Sequence, residues 1–441
     1  MALVVKNNMM AVNTLNTLNK NQSALSTSLK QVSSGMKING AVDDASGYAI
    51  SERMRVQIRS LDQDNQNTQN GNSMMKTAEG AVASTVEILK TLKEKAINAA
   101  NDTNTDEDRR TIQKEINQMV DQIDDNALAT YNGKYLVDGS RNSIGTATCT
   151  TLTNNALSTA SAWASVLTDL QSRQNESLNI QSTDNVTVSY VRQGRTYTTT
   201  FSVGNQTLAD IIGKTAFNGT DSVKGSSMVG GTTAGAWIGL DKAGNSVYTA
   251  DNKTALSINA AGAGTTFQVS AFTIGITDNT GALRKTANTA LDNFNERIRA
   301  ENKSEDNALV LQTGVKSNQA IKVSMTDMRS LALGMKGTDG SVISVQTQDK
   351  ANAAINSIDS ALQKALDEQA NIGAVQTRLR YTASNLTTQS ENVQNSESTI
   401  RDADMAKEMT EYTKNNVLLQ AAQSMLAQAN QNSSAVLSLL R

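Results

Sequence analysis

Apolar residues near the amino-terminal end recur at alternating steps of three and four residues. Such steps mark the a and d positions of a coiled coil, so the pattern predicts a helix over residues 4–36. The stripe consists of Val4, Asn8, Ala11, Leu15, Leu18, Gln22, Leu25, Leu29, Val32 and Met36.

The carboxyl-terminal end carries a matching stripe that stays apolar up to the last turn. Its members are Met405, Met409, Tyr412, Asn416, Leu419, Gln423, Leu426, Asn430, Ser433, Leu437 and Leu440. Matching seams at both ends predict that the terminal helices pair and that copies of the chain assemble. The expected polymerisation positions are Leu15, Leu18, Leu25, Leu29, Val32, Leu419, Leu426, Leu437 and Leu440.

These seams are weak for their length. Ordering the backbone of a helix this long costs about as much as its few apolar side chains return on burial. Polar residues such as Gln22, Asn416 and Gln423 interrupt both stripes. We therefore expect the ends to be poorly ordered in the monomer and to fold when partners cover them. A preformed intramolecular coiled coil is the alternative.

The segments next to the ends are also predicted to be helical. A second apolar stripe runs from Met54 to Leu89, and Asn101–Asp106 interrupts the pattern before a third helix. Tyr131–Tyr135 contains an Asn-Gly turn typical of a hairpin. A further long helix is marked by apolar positions from Ile355 to Leu386.

Composition changes near residue 140. All five phenylalanines and both tryptophans lie between residues 160 and 295. Alternating stretches at Val186–Tyr190 and Tyr197–Val203, joined across Gln193–Gly194, predict strands. This part should be a separate β-rich domain with an aromatic core.

The predicted fold is therefore mainly α with a β insert. Residues 1–46 and 396–441 form an inner coiled-coil domain with a connector. Residues 47–140 and 305–395 form a helical shell domain with a small β-hairpin. Residues 141–304, called the insert below, form a variable β-rich surface domain.

Composition narrows the possible chemistry. Histidine and proline are absent and Cys149 is the only cysteine, so histidine-based catalysis, histidine-ligated zinc and an internal disulfide are excluded. We expect no enzymatic activity, no cofactor and no metal site. The net charge of −2 gives no reason to expect nucleic acid or membrane partners. The first residues also lack the pattern of a secretory signal peptide.

Three segments resemble a known family. Ser33–Arg55 resembles the amino-terminal signature of bacterial flagellins, and Ser396–Met409 resembles their carboxyl-terminal signature. Leu311–Gln319, followed by Ala332-Leu-Gly334, is similar to a third flagellin segment. The resemblance covers about residues 1–140 and 305–441.

The resemblance implies a structural subunit that self-assembles into the extracellular flagellar filament used for motility. It implies export in an unfolded state without a cleavable signal peptide, and folding on assembly. The implied partners are other flagellin copies, the filament cap, hook-junction proteins and an export chaperone. Ser34–Gly47 corresponds to the inner-to-outer connector. The connector and signature positions are Asp43, Asp44, Arg53, Arg401, Asp402 and Asp404.

Flagellins are also recognised by Toll-like receptor 5, and Leu89–Ile97 matches the recognised segment. The family's receptor-binding form has arginine at the position of Thr91 and leucine at that of Lys95. These departures predict weak recognition. The candidate epitope is Leu89, Thr91, Lys93, Lys95 and Glu115.

Two other functions remain open from the sequence. A hook–filament junction protein shares the terminal coiled coils but matches the Asp43-Asp44 signature less closely. A secreted adhesin would use the insert to hold a ligand, and it would differ by failing to form filaments on its own.

Overall fold

A computed structural model of the chain describes residues 8–162, 164–214, 224–225, 237–249, 253 and 255–439. Long helices dominate both ends of the chain, and β-strands dominate its middle. The helices are α1 (Met9–Ser34), α2 (Ala45–Ala100), α3 (Asp106–Ala127), α4 (Leu208–Lys214), α5 (Lys285–Leu291), α6 (Gln348–Arg401) and α7 (Met405–Leu439).

Local sequence signals set several helix ends. The Asn8 side chain accepts a hydrogen bond from the Ala11 backbone N–H and begins α1. The helix ends at Gly35, whose φ of 68° places it in the left-handed region that glycine tolerates. Thr105 and Asp108 form a reciprocal capping box that begins α3.

The strands contain two to nine residues and pair antiparallel, some with their neighbour in sequence and others with a strand far along the chain. They are β1 (Thr130–Tyr131), β2 (Lys134–Tyr135), β3 (Thr151–Asn154), β4 (Asn185–Arg192), β5 (Arg195–Ser202), β6 (Lys224–Gly225), β7 (Trp237–Leu240), β8 (Ser246–Tyr248), β9 (Leu256–Asn259), β10 (Val269–Thr277), β11 (Phe294–Ile298), β12 (Leu309–Gln312) and β13 (Ala320–Val323). The sheet orders are β10-β4-β5, β11-β3-β9-β6, β1-β2, β7-β8 and β12-β13.

Both predicted hairpins are confirmed. The strands β1 and β2 turn at Asn132–Gly133, and β4 and β5 turn at Gln193–Gly194. All four turn residues have positive φ, which suits the right-handed twist of a two-residue hairpin.

The chain divides into two compact units. The terminal unit comprises the described residues up to Thr68, Gln312–Gln319, and the described residues from Tyr381 onward. The central unit comprises Gln69–Leu311 and Ala320–Arg380. The finer boundaries at 46, 140, 304 and 395 stay predictions.

In the terminal unit, α1 and α7 pair in antiparallel fashion. The Asn8 amide donates to the Ala429 carbonyl at 3.1 Å, and the Asn21 amide donates to the Leu418 carbonyl at 3.2 Å. The Asn415 amide donates to the Ser28 hydroxyl at 3.0 Å. The predicted pairing of the terminal helices is therefore confirmed, and polar side chains bridge much of it.

The α1 residues that face α7 differ in part from the predicted stripe. Leu18, Leu25 and Val32 are half-buried, whereas Leu15 and Leu29 are 45% and 52% exposed. Between the half-buried positions lie Thr14, Asn21 and Ser28, all at least half-buried. Of these, Asn21 and Ser28 hydrogen-bond to α7, so the interface turns away from the adjacent leucines.

On α7, Leu419 and Leu426 are half-buried and alternate with the buried Ala422 and Ala429. Tyr412 and Asn416 of the predicted stripe are half-buried as well, whereas its exposed members correct the prediction. Exposed members are Met405, Met409, Gln423 and Asn430. Leu440 and the side chain of Leu437 lie outside the described part of the chain.

The helices α2 and α6 also pair. In the terminal unit, the Ser390 hydroxyl donates to the Asp62 carboxylate at 3.3 Å. In the central unit, the Gln376 amide donates to the Glu79 carboxylate at 2.7 Å. The central unit also holds an apolar core that joins α2, α3 and α6, with Leu89, Ile116 and Ile358 fully buried.

The insert has a second apolar core of its own. Tyr190 and Phe272 are buried there, and Phe201 and Phe294 pack against them. The predicted aromatic core is wrong for Trp237, which is 52% exposed because it lies on the two-stranded hairpin β7–β8. Trp163 and Phe217 lie outside the described residues.

Candidate connector and assembly surface

The connector between α1 and α2 runs beside the end of α6. The Lys37 N–H donates to the Arg401 carbonyl at 2.7 Å, and the Ala403 N–H donates to the Gly35 carbonyl at 3.0 Å. Met36 and Asp402 form an isolated antiparallel bridge. Backbone hydrogen bonds therefore hold the two signature segments together inside the terminal unit.

The two neighbouring aspartates of the connector have different tasks. Asp44 accepts hydrogen bonds from the Ser46 and Gly47 N–H groups, both at 3.0 Å, and so caps α2. Asp43 accepts from the Asn39 and Gly40 N–H groups and closes the preceding turn. Capping and turn formation account for both carboxylates without a metal ion.

Arg401 is the most connected side chain of the connector. It is 6% exposed, and its Nη1 lies 2.7 Å from Glu52 Oε1. Its Nε contacts the Met36 sulfur at 3.1 Å, and its guanidinium lies 5.6 Å from the centre of the Tyr48 ring. The guanidinium thus joins the last turn of α6, the connector and the first turns of α2.

The guanidinium also acts on the charge of its partner. The hydrogen bond from Arg401 is the main cause that lowers the pKa of Glu52 from its ordinary value of 4.5. Sequence reasoning did not single out Tyr48, Ser51 or Glu52, although all three stand inside the amino-terminal signature. Their spacing of three and four residues was the available signal, because it places them on one face of α2.

The remaining signature residues are less engaged. Asp404 accepts from the Ala406 and Lys407 N–H groups and caps α7. Asp402 contributes its backbone to the bridge with Met36, and its side chain is exposed. Arg53 is exposed on α2.

The terminal unit carries large apolar side chains that the pairing of α1 and α7 leaves uncovered. They are between 42% and 61% exposed. On α1 they are Met9, Met10, Val12, Leu15 and Leu29, and on α7 they are Met405, Met409, Val417, Leu418 and Met425. We call this set the uncovered stripes. Large exposed apolar surfaces mark sites of interaction with other molecules.

The candidate epitope on α2 lies in the central unit, and its prediction needs one correction. Leu89 is fully buried, so it cannot contact a partner while α2 stays packed. Lys93 lies 2.6 Å from Asp359, and Lys95 lies 2.9 Å from Glu115. The Thr91 hydroxyl donates to the Glu87 carbonyl at 3.1 Å.

Neither a metal-ligating cluster nor a membrane-spanning helix is present among the described residues. No group of three or more histidine, cysteine, aspartate or glutamate side chains is arranged to hold a metal ion there. No helix in the same part of the chain is long and apolar enough to cross a membrane.

Comparison with known proteins agrees with the sequence signatures. Residues 5–142 match the bacterial flagellin N-terminal helical region, and residues 355–440 match the bacterial flagellin C-terminal helical region. A flagellin of Clostridium tyrobutyricum is 35% identical over 432 residues, which cover 97% of this chain and 99% of that protein. A flagellin of Bacillus subtilis (strain 168) is 29% identical and covers 99% of both chains.

Among solved structures, flagellar hook associated protein-3 from Legionella pneumophila is 17% identical. The match covers 78% of this chain and 97% of that one, with a TM-score of 0.34. The family assignment rests on the two helical-region matches and the full-length relatives, not on this structural match. The chain belongs to the bacterial flagellins.

Proposed function

We propose that the chain polymerises with copies of itself into the flagellar filament through the uncovered stripes of α1 and α7. Flagellins are structural, non-enzymatic proteins of the extracellular filament that serves motility. In this chain, the uncovered stripes would supply the side chains that make the contacts between subunits.

The exposure of Leu29 is the observation that carries the proposal. Leu29 is 52% exposed on a helix whose partner-facing positions Leu25 and Val32 are half-buried. Full burial of one leucine is worth about 1.5–3 kcal/mol, so covering this stripe favours assembly. Predicted polymerisation positions that are half-buried, such as Leu25, would instead hold α1 and α7 together within one subunit.

We also infer that folding of the ends is coupled to assembly. Polar bridges at Asn8, Asn21 and Asn415 replace apolar contacts along α1 and α7. A helix pair with so little apolar burial gains little stability alone. This weakness supports export of an unfolded chain, and the absence of proline removes slow prolyl isomerisation from refolding.

The same helices are the proposed contact sites for other flagellar proteins. An export chaperone would cover the exposed apolar side chains of α7 before assembly. The filament cap and the hook-junction proteins would meet the terminal unit at the two ends of the filament. Each of these partners is proposed from the family resemblance.

Substitution of Leu29 tests the assembly proposal. Leu29→Asp places a carboxylate where another subunit should cover a leucine, and burying an unpaired charge costs several kcal/mol. The variant should stay monomeric under conditions in which the natural chain forms filaments, as counted by electron microscopy. Circular dichroism of the monomer should be unchanged, because Leu29 does not face α7.

Leu29→Met is the matched control, since it keeps an apolar side chain of similar volume. It should polymerise as the natural chain does. Filaments of normal length and number from Leu29→Asp would refute the role of the uncovered stripes.

We further propose that the monomer activates Toll-like receptor 5 weakly. Thr91 and Lys95 replace the arginine and leucine of the receptor-binding family form. In addition, the Lys95 ammonium lies 2.9 Å from Glu115, so it competes for the carboxylate that a receptor would contact.

A further inference from the structure

Within the central unit, a short antiparallel neck joins the insert to the helical part of the unit. The Gly145 and Ser304 backbones exchange two hydrogen bonds of 3.1 Å. The Thr148 N–H donates to the Glu301 carbonyl at 3.0 Å. Glu296 lies on β11, next to the neck. Both β11 and the first half of α6 belong to the central unit.

Three ionisable side chains are buried beside this neck. Lys364 and Glu368 of α6 are 5% and 3% exposed, and the Glu296 side chain is 10% exposed. Together they are called the root cluster. The Lys364 ammonium donates to the Ala332 carbonyl at 2.9 Å, and the Glu368 carboxylate accepts from the Thr326 hydroxyl at 2.7 Å.

The carboxyl groups of the root cluster are incompletely satisfied. Glu296 Oε1 and Glu368 Oε1 are both buried and have no hydrogen-bond partner among the described residues. A buried carboxylate oxygen without a donor is costly, whereas a protonated carboxyl group carries no net charge to desolvate. The cluster therefore favours protonated glutamates.

Charged groups on every neighbouring element face the cluster. Arg299 Nε lies 3.6 Å from Glu296 Oε2, but Arg299 Nη2 lies only 2.6 Å from Asp367 on α6. Glu301, which pairs with Lys242 at 2.5 Å, and Asp327 also act on the cluster. The nearest cation is thus shared with another acid, and it neutralises Glu296 only in part.

Solvent can reach the edge of this cluster. A cleft of about 560 Å³ opens between β11 and α6, and Glu296, Asp359 and Asp367 are among the residues that line it. Protons can therefore exchange at Glu296 without unfolding of the central core.

We propose that the root cluster makes the attachment of the insert to α6 depend on pH, so that the insert is held most firmly when Glu296 and Glu368 are protonated. Ionisation of the two glutamates would loosen the packing of β11 on α6. The insert would then respond to the pH of its surroundings while the helices remain folded.

The direction of the pKa shifts determines how the stability of the insert changes with pH. Burial raises the pKa of Glu296 from 4.5 to about 7, against the opposing effect of Arg299 and Lys364. Burial also raises the pKa of Glu368. A raised carboxyl pKa gives stability that is complete below the unfolded value of 4.5 and is lost as pH rises towards about 7.

Lys364 acts in the opposite direction. Burial lowers the pKa of its amine, so its contribution to stability decreases as pH falls through its folded pKa. The experiment therefore changes a glutamate and leaves the lysine in place.

Both tryptophans of the chain lie within residues 141–304, so tryptophan fluorescence reports on the insert and not on the terminal helices. We would measure thermal unfolding of the full-length monomer from pH 5 to pH 8. The folding equilibrium constant of the insert should fall by up to about tenfold per pH unit for each titrating glutamate. Glu296→Gln is permanently neutral, so it should make this dependence shallower and raise the melting temperature at pH 8, while Glu368 and Asp292, whose pKa burial raises to about 6, continue to titrate.

Glu176→Gln is the matched control, because Glu176 is an exposed glutamate of the insert. It should keep the profile of the natural chain, whereas Glu368→Gln should make the profile shallower, as Glu296→Gln does. Carbon-13 NMR of glutamate carboxyl groups in the natural chain provides a test that does not depend on folding of a variant. Parallel pH profiles for Glu296→Gln and the natural chain, or no carboxyl group titrating near pH 7, would overturn the proposal.

Discussion

Arg401 shows how one side chain can set the geometry of a connector. Its guanidinium contacts Glu52 and Met36 and lies over the ring of Tyr48, while its backbone carbonyl accepts from Lys37. A planar group with five donors can serve several partners at once. Lysine carries the same charge but lacks this shape.

Arg401→Lys should therefore destabilise the terminal unit although it conserves charge. Lysine cannot replace the several contacts of the guanidinium at once, although solvent screens part of the effect because the Glu52 side chain is 41% exposed. We expect a lower melting temperature by circular dichroism and fewer filaments. Arg53→Lys, at an exposed position of α2, should leave both measurements unchanged. Equal stability of the two variants would remove Arg401 from this role.

Single side chains should also decide how strongly the candidate epitope on α2 is recognised by the receptor. The variant Thr91→Arg with Lys95→Leu should increase activation of Toll-like receptor 5 in a reporter-cell assay. It supplies the family's arginine and releases Glu115 from its ion pair with Lys95. One charge-assisted hydrogen bond of about 1.5 kcal/mol corresponds to about a tenfold change in affinity.

The control makes the same two exchanges elsewhere on α2, as Thr77→Arg with Lys76→Leu, since both positions are exposed. It should leave activation low. If the natural monomer already activates the receptor as strongly as a flagellin with the family residues, the interpretation of this segment is wrong.

Some leucines of α1 face α7, and others are exposed to solvent. Leu25 is half-buried against the partner helix, whereas Leu29, four residues later, is exposed. A carboxylate at Leu25 should therefore act in the monomer, and a carboxylate at Leu29 should act only on assembly.

Leu25→Asp should remove the helix content that the weak α1–α7 pair retains in the monomer, and it should also prevent filament formation. Leu426→Asp should do the same from the other helix, because Leu426 is half-buried between Ala422 and Ala429. Circular dichroism at 222 nm, an observable dominated by helix, and electron microscopy measure the two effects. Unchanged monomer helicity in both variants would show that the seam does not hold α1 and α7 together in the monomer.

The sequence predicted element types better than it predicted how elements pack. Helical periodicity and turn chemistry were sufficient for the long helices and for the hairpin at Gln193–Gly194. The interface on α1 was misassigned at Leu15 and Leu29, because two overlapping stripes share one period and the less apolar one, with Asn21 and Ser28, faces α7. Hydrophobicity alone cannot rank them, since short polar side chains there hydrogen-bond across the interface.

The root cluster could not be predicted at all. Glu296 and Lys364 are far apart in the chain, and only the packing of β11 near α6 makes them neighbours. In the connector, by contrast, the signature segments contained Arg401, Asp44 and Asp404 from the start. Their capping roles follow from local sequence, while the contact between Arg401 and Glu52 depends on tertiary structure.

Two apolar cores in the central unit suggest that its helical and β-rich parts fold with some independence. The ends of the insert lie side by side, since the Ser304 hydroxyl donates to the Ser143 carbonyl at 2.6 Å. A second attachment joins the tip of the β4–β5 hairpin to the loop before α6. There the Ser341 hydroxyl donates to the Gln193 carbonyl at 2.8 Å, and Arg195 pairs with Asp339 at 2.6 Å.

Replacing residues 141–304 by a short Gly/Ser linker should therefore preserve polymerisation. The neighbouring ends can be joined without strain, and the uncovered stripes are untouched. The core of α2, α3 and α6 should lose a little stability, because Val191 and Ala271 of the insert contribute to it. Electron microscopy and circular dichroism test this prediction. A soluble, helical truncated protein that forms no filaments would contradict it.

Proteolysis of the complete chain separates the two accounts of its ends. If folding and assembly are coupled, α1 and α7 open often in the monomer and expose backbone to a protease. Subunits in a filament bury the same helices, so cleavage there should stop. The central unit, with its fully buried helical core, should resist the protease in both states.

Limited digestion followed by mass analysis should therefore remove residues within 1–36 and 405–441 from the monomer first. A monomer carrying Leu29→Asp is the useful control, because it should be cut as readily as the natural monomer and gain no protection under assembly conditions. Protection at the ends should rise by orders of magnitude on polymerisation, since the protease samples the open state in proportion to its population. If both ends resist cleavage in the monomer as well as in the filament, α1 and α7 form a preformed coiled coil, and assembly joins subunits that are already folded.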